Sequence, residues 1–174
     1  MCLNATKHYL SSEHLKILYY SLIHPYILYG NILWGNTYKT HIHKLQILQK
    51  KAIRIITKSA YNEHTSSLFK ILNNLKFGDL HDLQICSFMY DFVNSNLPIP
   101  LLYTFEYHNE SHGHNTRHSC DPKLPVIHTE LMKKSLLYEG PFQWMHLDEC
   151  LKQSASKSAL KRNWQHKMIK IYYM

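Results

Sequence analysis

Glycine and proline are scarce in this 174-residue chain, at five and six residues. So little turn-forming sequence argues against a many-stranded sandwich or barrel. Cysteine is also rare. Cys2, Cys86, Cys120 and Cys150 form no CxxC pair and fit no disulfide framework. A reducing, intracellular setting is expected. The first residues lack an apolar run ahead of a small-residue cleavage site, so no secretory leader is expected. Acids are missing from two long stretches. From His14 to Asn62 there is no Asp or Glu, while Lys16, Lys39, Lys44, Lys50, Lys51, Arg54 and Lys58 all occur. From Cys150 onward there are again no acids, against six Lys or Arg. Every acid except Glu13 falls between Glu63 and Glu149.

What is present is a chain that is 45% hydrophobic, enough to build a core, with a formal net charge of +8. Two basic ends flank a neutral-to-acidic middle. Basic blocks raise the local concentration of polyanions, so nucleic acid is the first partner to consider, set against a merely solvated charged face. One run, residues 17–34 (ILYYSLIHPYILYGNILW), approaches the length of a bilayer span. Ser21, His24, Pro25, Gly30 and Asn31 interrupt it, and such groups are costly in lipid. A buried core helix is therefore expected, with no membrane partner. Its Tyr and Trp side chains are expected in the core, which would leave none for stacking on bases.

The pattern predicts a mainly α fold. Ser11 and Ser12 can cap a first helix that carries Leu15, Leu18, Tyr19, Leu22 and Ile23 at helical spacing, with Pro25 kinking or restarting it. A second helix is predicted over 41–58, with Thr40 as its candidate cap. Ile42, Leu45, Leu48, Ala52 and Ile55 form its apolar stripe. Lys44, Lys51 and Lys58 recur every seven residues on another face, with Lys50 and Arg54 beside them. No acid on this helix neutralises the row. Further helices are predicted over 66–72 and 79–94, the latter burying Leu80, Leu83, Ile85, Phe88, Met89 and Phe92. Residues 116–119, 123–126 and 132–138 are expected as short strands, and Gly140-Pro141 as a turn. A last basic helix over 156–172 presents Leu160, Trp164 and Met168, with Lys157, Lys161 and Arg162 outside. The expected layout is a small helical bundle (residues 1–97), an irregular β-containing connector (98–148) and the basic C-terminal helix (149–174).

No complete catalytic constellation can be found. Cys86 sits in an apolar helix and reads as core. His108, His112, His114, His118 and Cys120 are ligand types for zinc, but their spacings match no zinc module, and a chain with 14 histidines brings such residues together without a site. They read as a polar connector. No metal and no cofactor is expected.

Five stretches in order carry a resemblance. They are LYYSLIHPYILYGNILWGN (Leu18 to Asn36), KLQILQKKAIRIIT (Lys44 to Thr57), HTSSLFKILNNLKFGDL (His64 to Leu80), HGHNTR (His112 to Arg117) and YEGPFQW (Tyr138 to Trp144). Together they resemble the segment that follows the polymerase palm in non-LTR retrotransposon reverse transcriptases of the jockey, CR1 and RTE types. After Trp144 that family tends to read N-x-L-P, whereas this chain has Met145, His146, Leu147 and Asp148. The family's polymerase holds two metal ions on paired aspartates, and no Asp-Asp pair occurs here. The resemblance therefore implies a non-catalytic, thumb-side fragment whose partners would be an RNA or DNA duplex and an upstream polymerase core.

The first segment is also similar to the domain type named for the N-terminus of AlkB homologue 8 tRNA-modifying proteins. That would imply an interaction module associated with dioxygenase or methyltransferase chemistry. His146, Asp148 and His166 supply the letters of an iron-binding set, but Asp148 and His166 are close in sequence, and His166 falls on an amphipathic helix. No glycine-rich loop for a methyl donor is present. The interface expected from sequence is the row Lys44, Lys50, Lys51, Arg54 and Lys58, joined by Lys157, Lys161 and Arg162. Lysines there act as point charges and read no base sequence.

Overall fold

Ser11 begins the first substantial helix as the sequence leads one to expect. In a computed structural model of the chain, which describes residues 2–107 and 121–172, its Oγ accepts the backbone N–H of His14 at 3.4 Å. This side chain satisfies one of the N–H groups that a helix start leaves open. A short helix α1 (Cys2–Thr6) precedes it, and α2 spans Ser12–Leu22. Then come α3 (His24–Leu28), α4 (Asn31–Trp34), α5 (Lys39–Thr57), α6 (Thr65–Ile71) and α7 (Phe77–Val93). The later elements are α8 (Ile99–Leu102), α9 (Glu130–Lys133), α10 (Leu136–Met145), α11 (Glu149–Lys152) and α12 (Lys157–Ile171). The protein is mainly α. Among the described residues the β pairing amounts to one isolated bridge, Tyr107 to Pro122.

Three local expectations need correction. The run 17–34 is not buried along its length, since Tyr26, Tyr29 and Leu33 are exposed, while its restart at Pro25 is the one the sequence predicts. Pro25, which has no N–H to give, sits in the first turn of α3 and restarts the chain there. The strand expected over 132–138 is instead the end of α9 and the start of α10, with Lys134 and Ser135 between them. Thr129 caps α9 by accepting the N–H of Met132 at 3.2 Å. Residues 123–126 belong to no strand, and 116–119 lie outside the described residues. Gly140-Pro141 is not a turn but lies within α10. Glycine is needed at 140 for proximity: a Cβ there would come within 2.8 Å of Met89 Sδ. Pro141 removes one rung of the helix hydrogen bonding, a cost this helix tolerates.

The chain divides into two compact units, Met1–His81 with Gln165–Met174, and Asp82–Trp164. The dividing lines fall inside α7 and α12. In the first unit, Leu3, Leu15, Tyr19, Ala52 and Ile56 form a buried cluster joining α1, α2 and α5. A second cluster of Ile53, Leu68 and Phe69 seats α6 on α5. Burying a side chain of leucine or phenylalanine size stabilises by about 1.5–3 kcal/mol, so these clusters outweigh the weak propensities of the short helices. Gln49 is buried with them. Its Nε2 donates to Leu75 O at 3.1 Å and to Tyr19 Oη at 3.3 Å, and its Oε1 accepts Phe77 N–H at 2.9 Å. The end of α12 belongs to this unit: Gln165 Nε2 donates to Asn73 O, and the Tyr172 hydroxyl donates to Asp79.

The second unit buries Ile85, Met89 and Phe92 of α7, together with Phe105, Trp144, Leu151 and Leu160. Phe92 packs edge-on against Phe105 and stacks on Tyr107. Cys86 is buried, as its apolar neighbours imply. Tyr90 Oη donates to Ser154 O at 2.8 Å.

Candidate nucleic-acid interface

The rotation of α5 decides which charges face outward. The apolar stripe read from sequence places Leu48 in the core, but Leu48 is 49% exposed. The buried face runs instead through Gln49, Ala52, Ile53 and Ile56. Successive helical residues are set about 100° apart, so this shift turns the helix by roughly one residue. Lys44, Lys51 and Lys58 then lie on the far side from the core, and all three are exposed. Leu48 and Ile55 alternate with them at spacings of three and four. Leu48 is exposed between Lys44 and Lys51, whereas Ile55, between Lys51 and the C-cap Lys58, is half-buried against the α1–α2–α5 cluster.

Lys51, Arg54 and Lys58 line a groove of about 740 Å³ together with Lys7 and His8, which follow α1. The Arg54 guanidinium is held in place, its Nε donating to the Glu63 carbonyl at 3.0 Å. Lys58 occupies the C-cap in the left-handed region, at φ 54°. Lys50 is half-buried and does not line this groove. Lys7 and His8 escape a periodicity reading because α1 has only five residues. Their proximity to Lys51 exists only once Leu3 docks in the α2–α5 core.

Charge follows the compact units. The first holds Glu13, Glu63 and Asp79 against twelve Lys or Arg, a formal +9, and the second holds nine acids against eight, a formal −1. Lys157, Lys161 and Arg162 belong to the second unit. Lys161 and Arg162 are exposed there, while Lys157 is ion-paired with Asp91. The residues named from sequence thus fall into two sets, one belonging to each unit.

The aromatic residues of 17–34 also depart from expectation. Tyr19 is buried and burial raises its pKa, with hydrogen bonds from Gln49 and Asn74 opposing. Tyr26 and Tyr29, however, are 80% and 85% exposed. The helix breaks at Pro25 and after Leu28 turn these side chains outward. Trp34 is half-buried, its Nε1 donating to Tyr29 O at 2.7 Å and its ring 5.7 Å from that of Phe77. Gly35 makes this corner: a Cβ there would lie 2.1 Å from Asn31 Oδ1 and 2.2 Å from His81 Nδ1. An apolar groove of about 430 Å³ runs past Leu22, Tyr26, Trp34, Leu45 and Leu48.

Among the described residues, no group of three or more His, Cys, Asp or Glu is placed to hold a metal ion. His108, His112, His114, Arg117, His118 and Cys120 lie outside the described residues. Of the iron-type letters, His146 and Asp148 belong to the second unit and His166 to the first. His146 Nδ1 is hydrogen-bonded to Phe142 O at 2.8 Å. Among the described residues, no helix is long and apolar enough to cross a membrane. No family model, curated protein or solved structure matches the chain.

Proposed function

We propose that this protein is a non-catalytic module that contacts the phosphate backbone of an RNA or DNA duplex without reading its sequence. The observation that carries the reading is the outward face of α5. Lys44, Lys51 and Lys58 stand opposite the buried stripe, no acid occurs on the helix, and Lys7 and Arg54 extend the positive surface across the groove. Lysines spaced along an exposed helix face act as point charges, which suits phosphate contact and not the reading of base edges. The sequence resemblance to the post-palm segment of non-LTR retrotransposon reverse transcriptases supports the same partner, and the missing aspartate pair supports a role without nucleotidyl transfer. In such a protein the module would support an upstream polymerase core.

The test is a titration of fluorescently labelled duplexes of two unrelated sequences over a series of salt concentrations. Affinity is expected to fall steeply with salt and to be the same for both sequences, by about −0.9 in log–log slope for each phosphate neutralised. Primer, template, Mg²⁺ and nucleotides added to the chain are expected to give no extension. Binding that ignores salt, or that depends on base sequence, would contradict the reading. A second reading, a protein-interaction module of the AlkB homologue 8 N-terminal type, is favoured by the exposed aromatic surface around Tyr26 and Tyr29. Affinity for acidic protein without affinity for duplexes would select it.

A further inference from the structure

The apolar groove adjoins the basic one along α5. Leu48 lines both this groove and the basic one. Along the exposed stripe of α5, Leu48 stands four residues after Lys44 and three before Lys51, so cations flank it on both sides along the helix. The apolar groove is lined as well by Tyr26, 80% exposed, and by Trp34, pinned by its bond to Tyr29 O. From His14 to Asn62 the sequence has no acid. A groove with aromatic and aliphatic walls and a positive rim complements a ligand that is flat and apolar within and anionic along its edge.

We propose that this groove takes unpaired nucleic acid, with bases stacking against Tyr26 and Trp34 while the phosphates follow Lys44 and Lys51 of α5. A base in a duplex has no free face to offer, so the site would distinguish a single-stranded end or overhang from the paired region. Stacking on aromatic side chains tolerates any base, because each has a π-face. The backbone contacts are likewise independent of sequence. This inference rests on the phosphate-contact reading of α5 and adds a second ligand class to it. Phosphate contact alone gives no reason for exposed aromatic rings beside the lysines, whereas a strand whose bases are turned toward the protein does.

The three tryptophans supply a built-in probe. Trp144 and Trp164 are buried, at 4% and 7% exposure, whereas Trp34 lines the groove. Oligothymidylate of about 12 nucleotides, a length in the range of known strand-binding sites, is titrated into the full chain while tryptophan emission is followed. Blunt duplex is the comparison ligand. Binding of the oligonucleotide is expected to quench Trp34. Tyr26→Ala, on a residue too exposed to support the core, is expected to weaken oligothymidylate by about 5- to 100-fold and to leave duplex affinity and the salt slope unchanged. Circular dichroism checks that the variant is folded, and Tyr26→Phe is expected to bind like the parent chain. Unchanged oligothymidylate affinity in a folded Tyr26→Ala protein would overturn the inference while salt-dependent duplex binding kept the α5 reading alive. Sedimentation that shows the parent chain self-associating through this face, with Tyr26→Ala monomeric and strand affinity unaltered, would assign the groove to a second copy instead. Loss of both duplex and strand binding in the parent chain would remove the inference together with its foundation.

Discussion

Gln49 shows how one polar side chain can set the rotation of a whole helix. It is nearly inaccessible, yet its amide donates to Leu75 O and Tyr19 Oη and accepts from Phe77 N–H. Replacing it by leucine preserves bulk but strands the Leu75 carbonyl and the Phe77 amide, at about 1–3 kcal/mol for each buried group left unpaired. Gln49→Leu is therefore expected to lower the urea midpoint clearly. An unchanged midpoint would mean that another rotation of α5 satisfies these groups equally well. Lys58 makes a second prediction. A lysine at φ 54° pays for a left-handed conformation that glycine adopts freely. Lys58→Gly should raise stability by about 1 kcal/mol while reducing the slope of log affinity against log salt by about 0.9. A variant that melts higher but binds less well separates the interface from the fold. If its affinity is unchanged, Lys58 makes no phosphate contact.

At the scale of elements, the helices with long apolar repeats were legible in the sequence. The intervals predicted for α5, α6, α7 and α12 differ from the observed helices by a residue or two, because their core faces repeat over several turns. The rotation of α5 was not legible, because a buried glutamine looks like a surface residue until its partners are known. The outward tyrosines were missed for a related reason. An apolar run reads as core, and the break at Pro25 was visible while the direction it gave to Tyr26 and Tyr29 was not. The strand expected over 132–138 failed because two four- to ten-residue helices carry too few turns to show a period. The end of α12 offers an element-level test. Tyr172 donates to Asp79 and accepts Lys76 N–H at 3.0 Å. Burial, then the bond to Asp79, holds its hydroxyl well above the ordinary phenol pKa of 10.0. The fold favours the protonated form, so this contribution is fully present below pH 10 and is lost as pH rises toward the raised folded value. Tyr172→Phe should lower stability at neutral pH by about 1.5–3 kcal/mol, as for other hydrogen bonds to charged groups. The gap between variant and parent should narrow above pH 10 in denaturation measured along a pH series. A gap that widens would contradict the assignment.

At the scale of the molecule, the sequence shows basic, acidic and basic stretches in succession, while the structure folds them into two compact units. The link is made by the last residues: Gln165 and Tyr172 bond within the first unit, and Lys167 and Lys170 come with them. The positive charge thereby gathers on the unit that carries α5. The cations of α12 that stay in the second unit, Lys157, Lys161 and Arg162, share it with nine acids, and Lys157 already has Asp91 as its partner. The most direct measurement compares Lys44→Gln/Lys51→Gln/Lys58→Gln with Lys157→Gln/Lys161→Gln/Arg162→Gln in duplex titrations at several salt concentrations. Glutamine is a good helix former and leaves the buried stripe untouched, so circular dichroism should match that of the parent chain in both. The α5 variant is expected to lose about 2 to 3 units of slope and the α12 variant about 1 or less. An α5 variant with full helical content and the parent's slope would show that this lysine row is a solvated face and not a nucleic-acid interface.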